Sequence, residues 1–211
     1  MGRLKKRGNI EQVSGTVGDV VVSEWNNIPV VRSRAAKSSK PATAGQQVQR
    51  AKMAAAVKFA MAIKKVLSLG FKSFAVEMSG YNAGVSDILK YAITGDYPNL
   101  SINFSKARVS WGRLHTEANA AAKADAGQVV FTWTHENDAE IAATDKAILV
   151  VYCEALNKSL FTINGPDRTT GTAYIAVGRF KGYDVHTWLA FVSVNGEEVS
   201  PSTYTGKFTI T

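Results

Sequence analysis

The stretch DVHTWLAFVSVNGEEVSPSTYTGKFTI, residues 184–210, contains two strand-like segments on either side of a turn. Residues 184–194 and 203–210 are rich in β-branched and aromatic side chains, which favour strands. Between them lies Asn195-Gly196, a dipeptide typical of two-residue hairpin turns. The stretch therefore predicts a pair of antiparallel strands.

Four further segments between Gly127 and this stretch have the same character: 128–134, 146–153, 158–163 and 172–177. Short loops rich in Gly, Asn, Asp and Pro separate them, as expected of turns. Trp133 lies in an early strand and Trp188 in a late one. This succession of short strands predicts an immunoglobulin- or fibronectin-like sandwich over residues 127–211.

A long helix is predicted upstream, from Thr43 to Gly70. Thr43 and Gln46 have the spacing of a capping box, and Gly70 is a typical helix stop. Apolar residues recur at helical spacing along one face: Val48, Ala51, Ala55, Phe59, Ala62, Ile63, Val66 and Leu69. Others lie on the opposite side: Met53, Val57, Ala60 and Met61. Such a helix either crosses the middle of its domain or faces a second copy.

A second, shorter helix is predicted from Tyr81 to Thr94, with Ser79 as its N-cap. Alternating apolar residues then predict strand structure over 100–104 and 107–111. Residues 112–126 are small, polar and rich in alanine, and we interpret them as a connector that precedes the sandwich.

The N-terminal 42 residues, here called the basic arm, start with a basic tail at residues 1–9. From Val13 to Val31 the sequence is β-like, with Asn26-Asn27 as a turn, and its glycines indicate a ribbon that pairs with another surface. The predicted fold class is α+β, with this ribbon, then a helical region with a following strand over residues 43–111, the connector and an all-β sandwich.

Charge is distributed unevenly along the 211 residues. The net charge is +8, but residues 1–76 carry 14 Lys and Arg against three acidic residues, and residues 77–211 carry 11 against 14. The segment RSRAAKSSKP, residues 32–41, has four cations and no acid, and it lacks the apolar residues needed to fold alone. We interpret it as an extended strap that becomes ordered on an anionic partner.

Ten basic residues are the candidate contacts with an anionic partner or a neighbouring subunit: Arg3, Lys5, Lys6, Arg7, Arg32, Arg34, Lys37, Lys40, Arg50 and Lys52. Exposed cations of this number bind phosphates through counterion release. The sequence carries no helix-turn-helix, zinc finger or RNA-binding aromatic pair, so any binding of nucleic acid is expected to be independent of sequence. The alternative interpretation of these charges is a solubilising tail and a lysine-rich helix face.

Enzyme signatures are absent from the sequence. There is no GxSxG, Walker-type or GxGxxG element, and no two of His115, His135 and His186 have the spacing of metal ligands on one helix face. We expect His186 at the solvent or a sandwich edge, and Cys153 as a small buried residue. The acidic loop with Glu136, Asp138 and Glu140 lacks the ligand spacing of a calcium-binding EF-hand loop. We therefore expect no catalytic residue, cofactor or metal.

The N-terminus lacks the apolar region of a secretory signal, and no apolar run reaches the length of a membrane helix. We therefore expect a cytoplasmic or particle-associated protein with no membrane partner. A single cysteine excludes an intramolecular disulfide.

Several motifs together resemble a known family. They are, in order, VSGTVGDVVVSEWNNIPVVRSR, PATAGQQVQRAK, GFKSFA, YAITGDYP, INFSKARVSWGRL, FTWT, ATDKAILVVY and DVHTWLAFVSVNGEEVSPSTY. The chain resembles, over nearly its whole length, an uncharacterised Bacteroidota family defined only as a domain of unknown function. The resemblance implies a basic N-terminal arm, a helical middle and a β-sandwich at the end, and it implies no catalytic or ligand residue.

Three functions remain open from the sequence. The first is a structural or assembly protein, phage-like in layout, whose arm pairs with neighbouring subunits of a homo-oligomer. The second is an architectural protein that binds nucleic acid without sequence specificity. The third is an adhesive or carbohydrate-binding sandwich, with a platform of aromatic residues: Trp133, Tyr152, Tyr174, Trp188 and Tyr204.

Overall fold

The structure is a computed structural model, and it describes residues 2–3, 14–25, 28–36, 40–135 and 142–211. The chain divides into two compact units, Met1–Ala42 and Thr43–Thr211. The predicted α+β fold class is confirmed, with helices and antiparallel sheets in the same chain.

The first unit is a four-stranded antiparallel sheet. Its strands, in chain order, are β1 (Gly2–Arg3), β2 (Gly15–Val17), β3 (Val20–Trp25) and β4 (Ile28–Ser33). Their order across the sheet is β1-β4-β3-β2, so β2 is an edge strand. The predicted ribbon is thus present. The predicted Asn26-Asn27 turn lies outside the described residues, between the paired Trp25 and Ile28.

The second unit begins with helices. Helix α1 (Ala44–Ala62) has the predicted capping box, because the Gln46 N–H donates to Thr43 Oγ1 at 3.4 Å and the Thr43 N–H donates to Gln46 Oε1 at 3.1 Å. The single long helix that we predicted is interrupted at Ile63, after which α2 (Lys64–Gly70) begins. Helix α3 (Gly80–Tyr91) follows and has the predicted Ser79 cap, which accepts from the Asn82 N–H at 3.2 Å.

The region between α3 and the sandwich has less strand structure than predicted. A two-residue pairing joins β5 (Ile93–Thr94) and β6 (Ser101–Ile102), and the predicted strand over 107–111 is absent. This segment is instead fixed by contacts with distant residues. The Val109 N–H donates to Ser202 Oγ at 2.9 Å, and the Trp111 N–H donates to the Gly70 carbonyl at 2.8 Å.

Seven strands form the sandwich: β7 (Ala118–Asp125), β8 (Gln128–Thr134), β9 (Lys146–Cys153), β10 (Lys158–Thr162), β11 (Thr172–Ala176), β12 (Asp184–Val192) and β13 (Thr203–Thr209). One sheet has the order β11-β8-β7 and the other β10-β9-β12-β13. The fourth strand pairs with the third, whereas in constant-type immunoglobulin domains it joins the first sheet. The six predicted strands from residue 128 onward are all present.

The predicted connector was wrong over residues 118–125, which form β7. Its alanines alternate with exposed residues, and Ala120, Ala122 and Ala124 pack against the core between the two sheets. Alanine is a poor strand former, so propensity gave no signal, but its small side chain fits where the sheets approach closely. The sandwich therefore begins at Ala118, and it lies in one unit with the helices.

Two hydrophobic cores explain the long apolar runs of β9 and β12. One core lies between the sheets and includes Phe131, Leu149 and Phe191. The other lies between the helices and the outer face of the sandwich sheet β10-β9-β12-β13. There the ring centroids of Phe59, from α1, and Trp188 are 5.9 Å apart. Because β9 and β12 supply residues to both cores, they are buried on both faces, and period-two alternation is lost.

The far side of α1 is covered only in part by the described residues of its own unit. Met53 and Met61 are exposed, whereas Ala60 is buried and Val57 packs against the core, so the second apolar side that the sequence indicated is buried in part. Within the described ranges, no helix combines the length and the apolar character needed to cross a bilayer.

Candidate functional site

The sheet of the basic arm has almost no core of its own. Among the arm residues whose burial the structure describes, which are 14–24, 28–36 and 40–42, Val30 alone is buried. All three residues of the edge strand β2 are exposed, and the Val17 side chain is 67% exposed. The β2–β3 connection is the two-residue turn Gly18-Asp19, in which Gly18 has a φ of 58°, a left-handed value that favours glycine. The sheet thus presents a short, open edge and an apolar side chain to its surroundings.

Two of the predicted contact residues lie together at the end of β4. Arg32 is opposite Val21 in the register, and Arg34 follows the strand, where its N–H donates to the Asp19 carbonyl at 2.7 Å. Both side chains are exposed, and neither forms an ion pair with another described residue. No described acidic residue therefore neutralises their charges.

The other predicted contacts are distributed along the chain. Arg3 lies in β1 opposite Val30, and Lys40 is exposed. Arg50 and Lys52 are two positions apart on α1 and so point to different sides of that helix. Four predicted contacts lie outside the described residues: Lys5, Lys6, Arg7 and Lys37.

A buried ion cluster at one end of the sandwich was not predicted. The guanidinium of Arg168 is fully buried, donates to Glu117 Oε1 at 2.9 Å and lies 3.3 Å from Asp145 Oδ2. It also donates twice to the His115 carbonyl, at 3.0 Å each, and stacks 4.2 Å from the ring centroid of Phe191. Burial raises the pKa of Asp145, and the positive charge of Arg168 opposes that rise.

This cluster ties together the segments that precede three strands, β7, β9 and β11. The Trp133 indole N–H donates to the Arg168 carbonyl at 2.6 Å and adds β8 to the same network. We interpret the cluster as a structural clamp, because every charged member is buried and contacts another part of the sandwich. No sequence signal identifies it, since its members are more than 20 positions apart and share no motif.

His186 is buried, and our expectation that it faces solvent or fills a sandwich edge was wrong. Its ring stacks on Phe104 with centroids 4.0 Å apart, and its Nδ1 lies 2.9 Å from the Tyr204 hydroxyl. Burial lowers the pKa of His186 to about 4, so the imidazole is neutral at pH 7. It borders a polar cavity of about 430 Å³ together with Glu154, Tyr183 and the Asp184–Lys207 ion pair.

Other candidate residues have structural positions. Cys153 is buried in the core between the sheets, as predicted. Trp133, Tyr152 and Trp188 are also buried, which leaves Tyr174 as the exposed aromatic residue among the five of the predicted platform. The acidic residues Glu136, Asp138 and Glu140 lie outside the described residues. Among the residues that the structure describes, no group of three acidic, His or Cys side chains has the geometry of a metal site.

The fold and its open arm define a class: an α+β protein in which an N-terminal sheet with little core of its own precedes a β-sandwich covered on one face by helices. No curated protein matches the chain. Residues 12–206 match the family of unknown function DUF6266, and the chain belongs to that family. The predicted resemblance to a family defined only as a domain of unknown function is therefore confirmed.

Proposed function

We propose that the protein is a non-enzymatic structural or assembly subunit, and that its basic arm engages neighbouring copies in a homo-oligomer or a larger, phage-like particle. The observation that supports the proposal is the open sheet of the arm. One side chain of described burial, Val30, is buried there, and every residue of the edge strand β2 is exposed. A sheet with so little buried apolar surface gains stability when another surface covers it.

The exposed edge strand β2 supports strand pairing with a neighbour. An edge strand carries unpaired N–H and C=O groups that can extend a second sheet, a mode of binding known as β-augmentation. Proteins that avoid such pairing place lysine or proline on their edge strands. Here β2 has the sequence GTV and carries neither, so the edge is chemically open to pairing.

Charge supports a copy of the same chain as the partner. The arm, residues 1–42, carries eight Lys and Arg against three acids, and residues 77–211 have a net charge of −3. The exposed guanidiniums of Arg32 and Arg34 meet carboxylates of a neighbour in this arrangement. Opposite charges on two parts of one chain direct the approach of like subunits.

The test is light scattering coupled to size exclusion over a concentration series. We expect the full chain to form an oligomer, and we expect deletion of residues 1–42 to reduce the number of subunits, which is the measured mass divided by the mass of one chain. The substitution Val17→Lys adds a charge at the exposed edge and should have the same effect without removing the arm. Tyr174→Lys is the control, because it adds the same charge at a position that is 69% exposed in the sandwich.

The proposal is wrong if the full chain is a strict monomer and remains one when residues 1–42 are deleted. A second candidate function, binding of nucleic acid without sequence specificity, is favoured by Arg32 and Arg34, which are exposed and form no ion pair with a described residue. It predicts that Arg32→Glu with Arg34→Glu abolishes a gel shift that also weakens steeply with salt, while the oligomer persists.

A further inference from the structure

A groove lined by apolar residues opens between the helices and the segment that precedes the sandwich. Its volume is about 370 Å³, and its main lining residues are Phe71, Phe74, Met78, Tyr91, Arg108 and Trp111. Four of these are large apolar side chains that remain substantially exposed: Phe74, Met78, Tyr91 and Trp111. A cluster of exposed aromatic and methionine side chains of this kind is typical of protein interfaces.

The groove wall is fixed before any partner binds. The Arg108 guanidinium lies 4.7 Å from the Tyr91 ring centroid and 4.2 Å from that of Trp111, between the two aromatic side chains. Its Nε donates to Asp87 Oδ2 at 3.0 Å, and a second bond joins the same two side chains. Trp, Tyr and Arg are the residue types that dominate binding energy at interfaces, and rigid positioning reduces the entropy lost on binding.

A protruding side chain lies beside this groove. Val76 stands between Phe74 and Met78 in the chain, does not line the groove, and is 76% exposed. The next residue, Glu77, has a φ of 56°, a left-handed conformation that costs a non-glycine residue roughly 1 kcal/mol. Strained backbone of this kind is concentrated at binding sites, and here it adjoins an exposed apolar side chain.

The groove and its edge carry side chains of opposite charge. Lys90 lines the groove, and Glu77 neighbours the protruding valine. Neither side chain forms an ion pair with another described residue, whereas the charge of Arg108 is balanced by Asp87. In a two-fold symmetric contact the same patch faces itself, so an acidic and a basic residue that lie on opposite sides of the axis meet each other twice, once in each direction.

We propose that this groove binds a second copy of the chain in a two-fold contact. Val76 of each copy enters the groove of the other, between Tyr91, Trp111 and Met78, and Glu77 of each copy pairs with Lys90 of its partner. The choice of a second copy rests in part on the proposed homo-oligomer. The contact itself is separate from the basic arm and uses residues of the second unit alone.

The experiment is analytical ultracentrifugation of the full chain and its variants over a concentration series. Val76→Asp places a charge in the groove of the partner and should raise the dissociation constant at least tenfold. Glu77→Lys and Lys90→Glu should each weaken association by bringing like charges together, and the double variant should restore it toward that of the wild type. Because each of the three residues is exposed, the substitutions leave the packing of the hydrophobic core unchanged. Circular dichroism of each variant checks that it folds.

The control is Tyr174→Asp, which changes an equally exposed side chain on β11, and it should leave association unchanged. Association that is indifferent to Val76→Asp, or a double variant no stronger than the singles, overturns the proposal. The two variants distinguish failure of the arm proposal from failure of the groove proposal. If Val17→Lys dissociates the oligomer and Val76→Asp does not, the groove contact is wrong. If the reverse holds, the groove contact stands and the role of the arm is wrong.

Discussion

At the scale of single residues, His186 is the clearest case of a side chain whose chemistry is set by distant parts of the chain. It is stacked on Phe104 and hydrogen-bonded to Tyr204, and burial lowers its pKa to about 4 from the ordinary value of 6.5. Because the folded state binds the proton less well than the unfolded state, protonation favours unfolding. Stability is therefore fully present above pH 6.5 and is lost as the pH falls toward 4.

We predict that the free energy of unfolding falls by about 2 kcal/mol through this group between pH 7 and pH 5. His186→Phe removes the titrating group and retains a ring against Phe104. The free energy of unfolding of the variant should therefore fall by about 2 kcal/mol less than that of the wild type between pH 7 and pH 5. Urea unfolding of both proteins at the two pH values measures the difference. Equal losses in the wild type and the variant would show that His186 does not titrate in this range.

The positions of His186 and Arg168 could not be predicted from the sequence. A histidine in a strand alternates like any polar residue, and what buries this one is Phe104, which lies 82 positions earlier. Arg168 is a cation in a turn, a setting typical of exposed residues, yet it pairs with Glu117 and Asp145 from two other loops. Burial of a charge depends on tertiary partners, and no local pattern records them.

At the scale of elements, the close approach of two backbone segments holds the helical region to the sandwich. A Cβ added to Gly112 would lie 1.9 Å from the carbonyl oxygen of Val199, and one added to Gly70 would lie 2.4 Å from that of Val109. Val199 forms an isolated bridge with Val192, the last residue of β12. Contacts of this kind between backbones leave no flexible side chain that could yield.

We predict that Gly112→Ala lowers the free energy of unfolding by about 2 kcal/mol or more, because a backbone segment must shift to admit the methyl group. Gly178→Ala is the matched control. Its added Cβ would meet nothing within 4 Å, so stability should change by less than about 0.5 kcal/mol. Chemical denaturation of the two variants and the wild type gives the comparison, and equal stabilities would contradict the close approach.

Elements with a strong local signal were predicted well, and elements set by packing were not. Strands from Gln128 onward carry β-branched runs bounded by turn residues, and α1 and α3 carry side-chain caps at Thr43 and Ser79. Strand β7 was missed, because alanine-rich sequence has no strand propensity. The segment 107–111 alternates like a strand but is bound by Ser202 and Gly70 instead of a neighbouring strand.

At the scale of the whole molecule, the two units differ in how much hydrophobic core each supplies. Both core clusters consist of described residues between Ala56 and Ile210, all from the second unit. Of the arm residues with described burial, Val30 is the one that is buried. The second unit therefore has the buried surface of an independent domain, whereas the described residues of the arm contribute to neither core cluster.

This difference leads to a prediction about stability and protein concentration. If the arm binds a neighbouring copy, association stabilises the folded chain by mass action, by up to about 1.4 kcal/mol for each tenfold rise in concentration. The fragment 43–211 lacks the arm and should show no such rise. Both proteins carry Val76→Asp, so that the groove contact contributes to neither.

Urea unfolding at concentrations that span two orders of magnitude measures the effect. An arm that binds another copy raises the urea midpoint of the full chain with concentration, while the midpoint of the fragment stays constant. An arm that is stabilised only within its own chain gives the full chain a constant offset from the fragment at every concentration. A constant offset would therefore contradict the assembly role, because the surface that orders the arm would then belong to the same molecule.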